Sequence, residues 1–184
     1  MKSFFTALRL FLFMTLLTGI IYPVLITLIS NSFFSQKAQG SFIISDKKIL
    51  GSELIAQKFN SDKYFWSRPS AVDFNPLPSG GSNLSQTSQS LKIIVNERRA
   101  LLKLSHPSET IEPPQDLLFA SASGLDPHIS PAAAEYQISR LAKARGRLAN
   151  EIKQLVVLAT ELPQFGLLGE PRINVLKLNL LLDN

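Results

Sequence analysis

The chain has no cysteine, and among its 184 residues there are only two histidines and one tryptophan. Without cysteine there are no disulfides, no thiol nucleophile and no thiolate metal site. Two histidines without a His-x-x-x-His spacing fall short of the three or four ligands that a metal site needs. Charge is also sparse, at 18% of residues, and the net charge is +5. Lys2 and Arg9 account for two of those charges, so the rest of the chain is only mildly basic, about +3. Basic residues are not interleaved with aromatics in the dense pattern that nucleic-acid binding requires. The absence of disulfides leaves the compartment open.

The chain does have one long uncharged run, "LFLFMTLLTGIIYPVLITLI", from Leu10 to Ile29. Its roughly 20 residues, at about 1.5 Å each, match a bilayer core of about 30 Å. A buried core helix would show a polar face, and this stretch offers only threonines. A cleaved signal peptide would be shorter, with a small-x-small site close behind it. Ala38-Gln39-Gly40 is a weak match to that pattern and lies too far downstream. The run is therefore read as a transmembrane helix over residues 10–30, after a cytoplasmic head over 1–9 and before an extracytoplasmic globular domain over 31–184. Lys2, Arg9 and the N-terminal amine before the span nearly balance Lys37, Lys47 and Lys48 after it, which Asp46 offsets, and the basic head directly against the apolar run favours the N-terminus inside. Pro23 removes a helix hydrogen bond and predicts a kink. Gly19, Tyr22 and Pro23 form a notch for a partner helix, the alternative being an uncontacted kink.

Beyond the span, "SFIISDKKILGSELIAQKF" predicts two short strands around a turn at Asp46-Lys47-Lys48. A helix is expected next, capped by Ser52 and burying Leu54, Ile55 and Phe59. "SDKYFWSRPSAVDFNPLPSGGSN" reads as a long ordered loop with positive φ expected at Gly80 or Gly81. It lacks the lysine and spacing of a phosphate cradle. Leu91, Ile94, Val95, Leu101 and Leu102 return at helical spacing. "SHPSETIEPPQ" is a polar connector in which His106 reads as solvated. "DLLFASAS" fits either a strand or a buried helical turn. Ser130-Pro131 is a strong helix start and Gly146 a stop. "LANEIKQLVVLATEL" predicts an amphipathic helix burying Leu148, Ile152, Leu155, Val156, Ala159 and Leu162, ended by Pro163. The last segment reads as a helix from Pro171 with Ile173, Leu176 and Leu180 buried, although alternation through Leu176, Leu178, Leu180 and Leu182 also suits a strand. The fold class is α+β: one N-terminal transmembrane helix, then a compact mixed domain with a small sheet covered by several helices.

Asp126-Pro127-His128-Ile129-Ser130 puts an acid, a base and a hydroxyl within five residues. Catalytic triads are assembled from separate elements beside an oxyanion site, and no Gly-x-Ser-x-Gly elbow is present. Asp126 and His128 are therefore read as parts of a rigid corner, with Ser130 capping the next helix. Tyr64, Phe65 and Trp66 beside Arg68 are residue types found both at anchoring interfaces and in cores. Arg172 sits in the tight "GEPR" corner, where pairing with Glu170 is the alternative to a partner contact.

The stretches "TGIIYPVLIT", "GSELIAQKF", "YFWSRPSA", "NPLPSGGSNL", "DLLFASASGLDPHISPAAAEYQISRLAKARG" and "LLGEPRINVLKLNLLLD" run in order from the anchor almost to the end. In these the chain resembles the C subunit of the Kdp complex, the bacterial high-affinity potassium-transporting P-type ATPase. It departs from the family pattern at Ala159-Thr160-Glu161, where a histidine usually comes first, in Leu162-Pro163-Gln164-Phe165, and at Ser67. The resemblance implies a non-catalytic accessory subunit in the bacterial cytoplasmic membrane, without cofactor. Its partners would be a channel-like A subunit, an ATP-hydrolysing B subunit and a small F subunit. The contacts would lie at Gly19, Tyr22 and Pro23 in the membrane, and outside at Tyr64, Phe65, Trp66, Arg68, Asp126, His128 and Arg172. Asp46-Lys47-Lys48 is not the Asp-Lys-Thr-Gly loop of a pump, and one span cannot build a potassium filter. A role in ATP binding has also been attributed to the family. An exported domain meets little ATP, and no nucleotide motif is present. The competing class is a membrane-anchored exported enzyme or ligand-binding domain.

Overall fold

A computed structural model describes residues 2–45 and 48–183. The expected turn at Asp46 and Lys47 lies outside them. The chain divides into two compact units, Met1–Leu50 and Gly51–Asn184. The expected globular domain from residue 31 thus takes in segments that belong to the first unit.

In the first unit, α1 (Lys2–Leu16) and α2 (Tyr22–Phe33) are joined by a π turn over Leu17–Ile21. Together they form one helix, Lys2–Phe33, that is long and apolar enough to cross a membrane and has none of its apolar window buried. The helix extends past both ends of the uncharged run. A proline at position 23 lacks an N–H, and its ring crowds the carbonyl four residues back, that of Gly19. The π turn falls at this place: the Tyr22 N–H donates to Leu17 O, five residues back. The expected irregularity at Pro23 therefore takes the form of a wider turn. Thr18 and Thr27 donate their hydroxyls to Met14 O and Pro23 O, each at 2.7 Å. Those polar groups are satisfied within the helix, as a bilayer requires. A short α3 (Ser35–Ala38) comes next. Then β1 (Phe42–Ser45) and β2 (Lys48–Ser52) pair in a two-stranded sheet, the two strands expected from the sequence.

The helix expected after Ser52 does not form. The Ser52 hydroxyl accepts from Leu54 N, two residues on, which closes a turn rather than capping a helix. Leu54 and Ile55 are left exposed, and Ala56 N donates to Leu125 O, a tertiary bond that no helix would allow. The long loop is ordered by two buried amides. Asn179 accepts from Phe65 N at 2.8 Å and donates to Phe65 O at 3.0 Å. Gln137 accepts from Trp66 N at 2.7 Å and donates to Trp66 O at 3.3 Å. These side chains do for Phe65 and Trp66 what a neighbouring strand would do.

The second unit has α4 (Gln89–Ser105), α5 (Gln115–Leu118), β3 (His128–Ile129), α6 (Pro131–Arg145), α7 (Ala149–Ala159), β4 (Thr160–Glu161), β5 (Arg172–Asn174) and α8 (Val175–Asp183). The ambiguous "DLLFASAS" begins as the helical turn α5, burying Leu117 and Leu118. Ser130 caps α6 by accepting from Ala133 N at 3.0 Å, and Gly146 ends it at φ 63°, both as expected. β5 pairs antiparallel with β3 and with β4, in the order β3-β5-β4. The core joins this sheet to α4, α6, α7 and α8 through Phe65, Val95, Tyr136, Leu141, Ile152, Ile173 and Leu178.

Three expectations are corrected. The amphipathic α7 ends at Ala159, because Thr160 and Glu161 pair with Ile173 and Arg172 instead. Leu162 is consequently exposed, and so is Leu148, which precedes the helix. In the last segment Arg172 to Asn174 is strand, and the helix starts at Val175 with Leu176, Leu178 and Leu182 buried. Finally, neither Gly80 nor Gly81 has positive φ; Gly124 does, at 69°. Gly81 is needed for closeness, since a Cβ there would lie 3.0 Å from Ala122 O.

Candidate functional site

The second unit places Arg68, Asp126, His128 and Arg172 around one cleft of about 350 Å³, together with Asp116 and Glu170. The elements explain the convergence. Pro127 holds Asp126 and His128 extended, and the Asp126 carboxylate accepts from His128 N two residues on, at 3.0 Å. This is the turn that aspartate forms with its own backbone. The next backbone bond is tertiary, Val175 N to Pro127 O at 2.9 Å, and it ties the corner to the start of α8. Arg68 arrives from the long loop and donates Nη1 to Asp126 Oδ2 at 3.0 Å, while His128 Nδ1 lies 3.4 Å from Asp126 Oδ1.

Burial pushes the Asp126 carboxyl up, but the hydrogen bonds from His128 and the Arg68 charge outweigh it and leave the group below the usual carboxylate range. Asp126 is thus an anion that organises its neighbours. Asp116 accepts from Ser130 N at 2.7 Å, and the Ser130 hydroxyl oxygen faces Ala133 N. Arg172 pairs with Glu161 at 3.1 Å rather than with Glu170. The reason is register: β4 and β5 place Glu161 directly opposite Arg172, where cross-strand side chains meet.

The aromatic stretch divides. Phe65 is 0% exposed, so its side chain belongs to the domain's own core and not to a surface. Trp66 lies under the Arg140 guanidinium at 4.2 Å from the ring centre, and Tyr64 under Arg145 at 5.0 Å. The Tyr64 hydroxyl donates to Asp183 at 3.0 Å. In the first unit Tyr22 is 60% exposed, and a Cβ on Gly19 would meet only Thr15, at 4.0 Å. Gly19 is therefore not needed by the chain's own packing.

Sequence reasoning missed the buried centre of the domain. His106 is 2% exposed and Arg140 7% exposed. Arg140 donates Nε to His106 Nε2 at 2.9 Å, Nη1 to Asp62 O at 2.6 Å, and Nη2 to Tyr64 O at 3.0 Å and Gln137 Oε1 at 2.9 Å. Burial pushes the Arg140 pKa down to about 10, so the group stays charged at neutral pH. His106 Nδ1 lies 2.8 Å from Leu102 O, which can only accept. Nδ1 therefore carries the proton, Nε2 is bare, and the imidazole is neutral. A signal existed: Ala133, Gln137, Arg140, Leu141 and Ala144 share one helical face, so the two polar residues lie on an otherwise apolar stripe.

This geometry has a pH consequence. Burial lowers the His106 pKa, the Arg140 charge adds to that, and the Leu102 bond opposes it. The unfolded chain protonates near pH 6.5 while the native chain does not. Stability from this group is full above about pH 6.5 and falls as the pH drops towards the lower native value, by at most about 1.4 kcal/mol per pH unit. Urea unfolding between pH 7.5 and 5 checks this. A His106→Gln variant is expected to lose that slope. Asp126, whose depressed pKa acts below about pH 4, lies outside the window.

The fold defines a class: a small α+β domain on the same chain as one helix able to cross a membrane. A family model described as "K+-transporting ATPase, c chain" (KdpC) matches residues 4–184. The potassium-transporting ATPase KdpC subunit of Methylococcus capsulatus is 49% identical over 185 residues, covering 99% of this chain and 97% of that one. The KdpC subunit of Polynucleobacter asymbioticus is 46% identical over 187 residues, covering 100% and 99%. That of Leptospira interrogans is 49% identical over 178 residues, covering 97% and 92%. The chain belongs to the KdpC family and is a subunit of a potassium-transporting ATPase complex.

Proposed function

We propose that this chain is the accessory, non-catalytic subunit that stabilises assembly of the channel-like and ATP-hydrolysing subunits. The domain lies outside the cytoplasmic membrane, where it also shapes ion access. The observation that carries this reading is how the Asp126 corner uses its reactive groups. His128 turns both its amide and its Nδ1 to Asp126, and the Ser130 hydroxyl oxygen accepts from Ala133 N. The acid, base and hydroxyl that the sequence sets side by side are engaged in holding a turn and a helix start. None of the three forms the nucleophile–base pair that acyl transfer needs. The exposed notch at Gly19, Tyr22 and Pro23 supports a helix–helix contact in the membrane, where small residues let backbones approach closely. Outside, Arg68, Asp126, His128 and Arg172 line one polar cleft that a partner can contact.

The test is potassium-dependent ATP hydrolysis by the purified complex with and without this chain, with subunit recovery in mild detergent measured alongside. The expected result is loss of both recovery and hydrolysis when the chain is omitted. ATP hydrolysis by the isolated chain, or full recovery of the other subunits without it, would refute the reading. Protease added to intact cells is expected to cut beyond residue 37; cutting only after permeabilisation would put the domain inside.

A further inference from the structure

A second concavity, of about 450 Å³, lies beside the loop that carries Arg68. Its apolar lining includes Phe59, Trp66, Phe74 and Leu101, and three cations line it, Lys58, Arg68 and Arg98, with no carboxylate in the lining. Two of the cations are neutralised from outside the groove: Lys58 by Asp73 at 2.6 Å and Arg68 by Asp126 at 3.0 Å. Arg98 differs. Its one described bond runs from Nη1 to the Leu118 carbonyl at 2.9 Å, and among the described residues no carboxylate pairs with it. Glu112 is taken by the neighbouring cations Arg99 and Lys103. Burial lowers the Arg98 pKa, and the Leu118 carbonyl replaces only part of the lost water. Arg98 and Leu101 are three residues apart on α4, so they share a face, and Leu101 is 58% exposed. A half-buried cation without a counter-ion beside an exposed leucine is an incomplete arrangement.

We propose that this groove docks a segment of another subunit of the same complex. That segment carries an aspartate or glutamate that pairs with Arg98 and a large apolar side chain that covers Leu101 and Phe74. The proposal rests on the reading of this chain as an assembly subunit and names the chemistry of one contact. Arg98, the lining cation without a carboxylate partner among the described residues, selects an acid, and the apolar floor selects a neighbour of that acid with a large side chain. Together they give a pairing that is both oriented and charge-specific. Burying an Arg–carboxylate pair beside apolar contacts is the arrangement found at the energetic centre of protein interfaces.

The experiment places a photo-crosslinking amino acid at Leu101 in the full chain, purified within the complex in mild detergent, and identifies the crosslinked peptide by mass spectrometry. The expected adduct is a peptide of another subunit with an Asp or Glu within a few residues of a large apolar side chain. In the same background Arg98→Glu is expected to cut adduct yield by about tenfold or more, while Arg98→Lys keeps most of it. A melting curve checks that each variant is folded. An adduct to lipid or to a second copy of this chain, or no adduct from an intact complex, overturns the docking proposal and leaves the assembly role standing. If the other subunits do not accompany the chain at all, the assembly role fails and the docking proposal fails with it.

Discussion

Replacing Arg140 by alanine is expected to destabilise the folded chain by about 3–5 kcal/mol, because several acceptors lose one charged donor at about 1–3 kcal/mol each and the side chain leaves a space. The guanidinium serves four acceptors at once: His106 Nε2, the carbonyls of Asp62 and Tyr64, and Gln137 Oε1. It also covers the Trp66 ring at 4.2 Å. Truncation leaves buried acceptors without a donor and a space where a long side chain stood. Gln137 Oε1 keeps its bond from Trp66 N, so the loss concentrates on His106 and the Asp62–Tyr64 stretch. Arg140→Lys is expected to recover only part of the loss. An ammonium is compact and cannot reach both His106 on one side and two carbonyls on the other. Urea unfolding of the full chain in mild detergent measures this, followed by the fluorescence of Trp66, the chain's only tryptophan. A loss below about 1 kcal/mol would mean that water replaces the network and that the site is not sealed.

Gly124→Ala is expected to be the most damaging single-methyl change, at roughly 2–4 kcal/mol. Gly124 has φ of 69°, and a Cβ there would meet Gly80 O at 2.7 Å and Val72 Cγ2 at 2.7 Å. One neighbour is backbone and cannot rotate away. The two penalties, left-handed strain and overlap, come together at a position that also donates its amide to Ser121 O. Relief would require the Gly80 backbone to move or Gly124 to draw away, and Gly124 is tied to Ser121, whose own amide bonds Pro69 O at 3.2 Å. The Asp126 corner is two residues away, so complex recovery is expected to fall with stability. Gly146→Ala is the control. It has a similar φ of 63° with no atom near the added methyl, so it reads the strain without the overlap. A loss at Gly124 no larger than at Gly146 would contradict the close approach.

Several elements were legible in the residues because their signals are local. A run of apolar residues without a charge needs nothing but its own length to be read as a span. Ser130-Pro131 and Gly146 act through hydrogen bonds and φ angles within four residues, and the structure places both as read. The rigid corner at Asp126 was legible for the same reason, since its carboxylate bonds an amide two residues away. The cleft around it was legible only as a set of names. Nothing in the order of residues says that Arg68 reaches Asp126, or that Arg172 faces Glu161 in preference to its near neighbour Glu170.

The residues by themselves determined the membrane-compatible helix, the α+β character, the corner before α6 and, through the order of their motifs, the family. Tertiary structure alone decided that the stretch after Ser52 is not a helix, because Ala56 bonds Leu125 instead of its own segment. It alone decided that α7 yields to a strand at Thr160, because β5 offers an edge there. And it buried His106 and Arg140, two residues that composition assigns to water. A short-range hydrogen bond is fixed by a few neighbouring torsions. Shielding a charge from solvent requires acceptors from Asp62, Tyr64, His106 and Gln137 to arrive at one point, and only the folded chain brings them there.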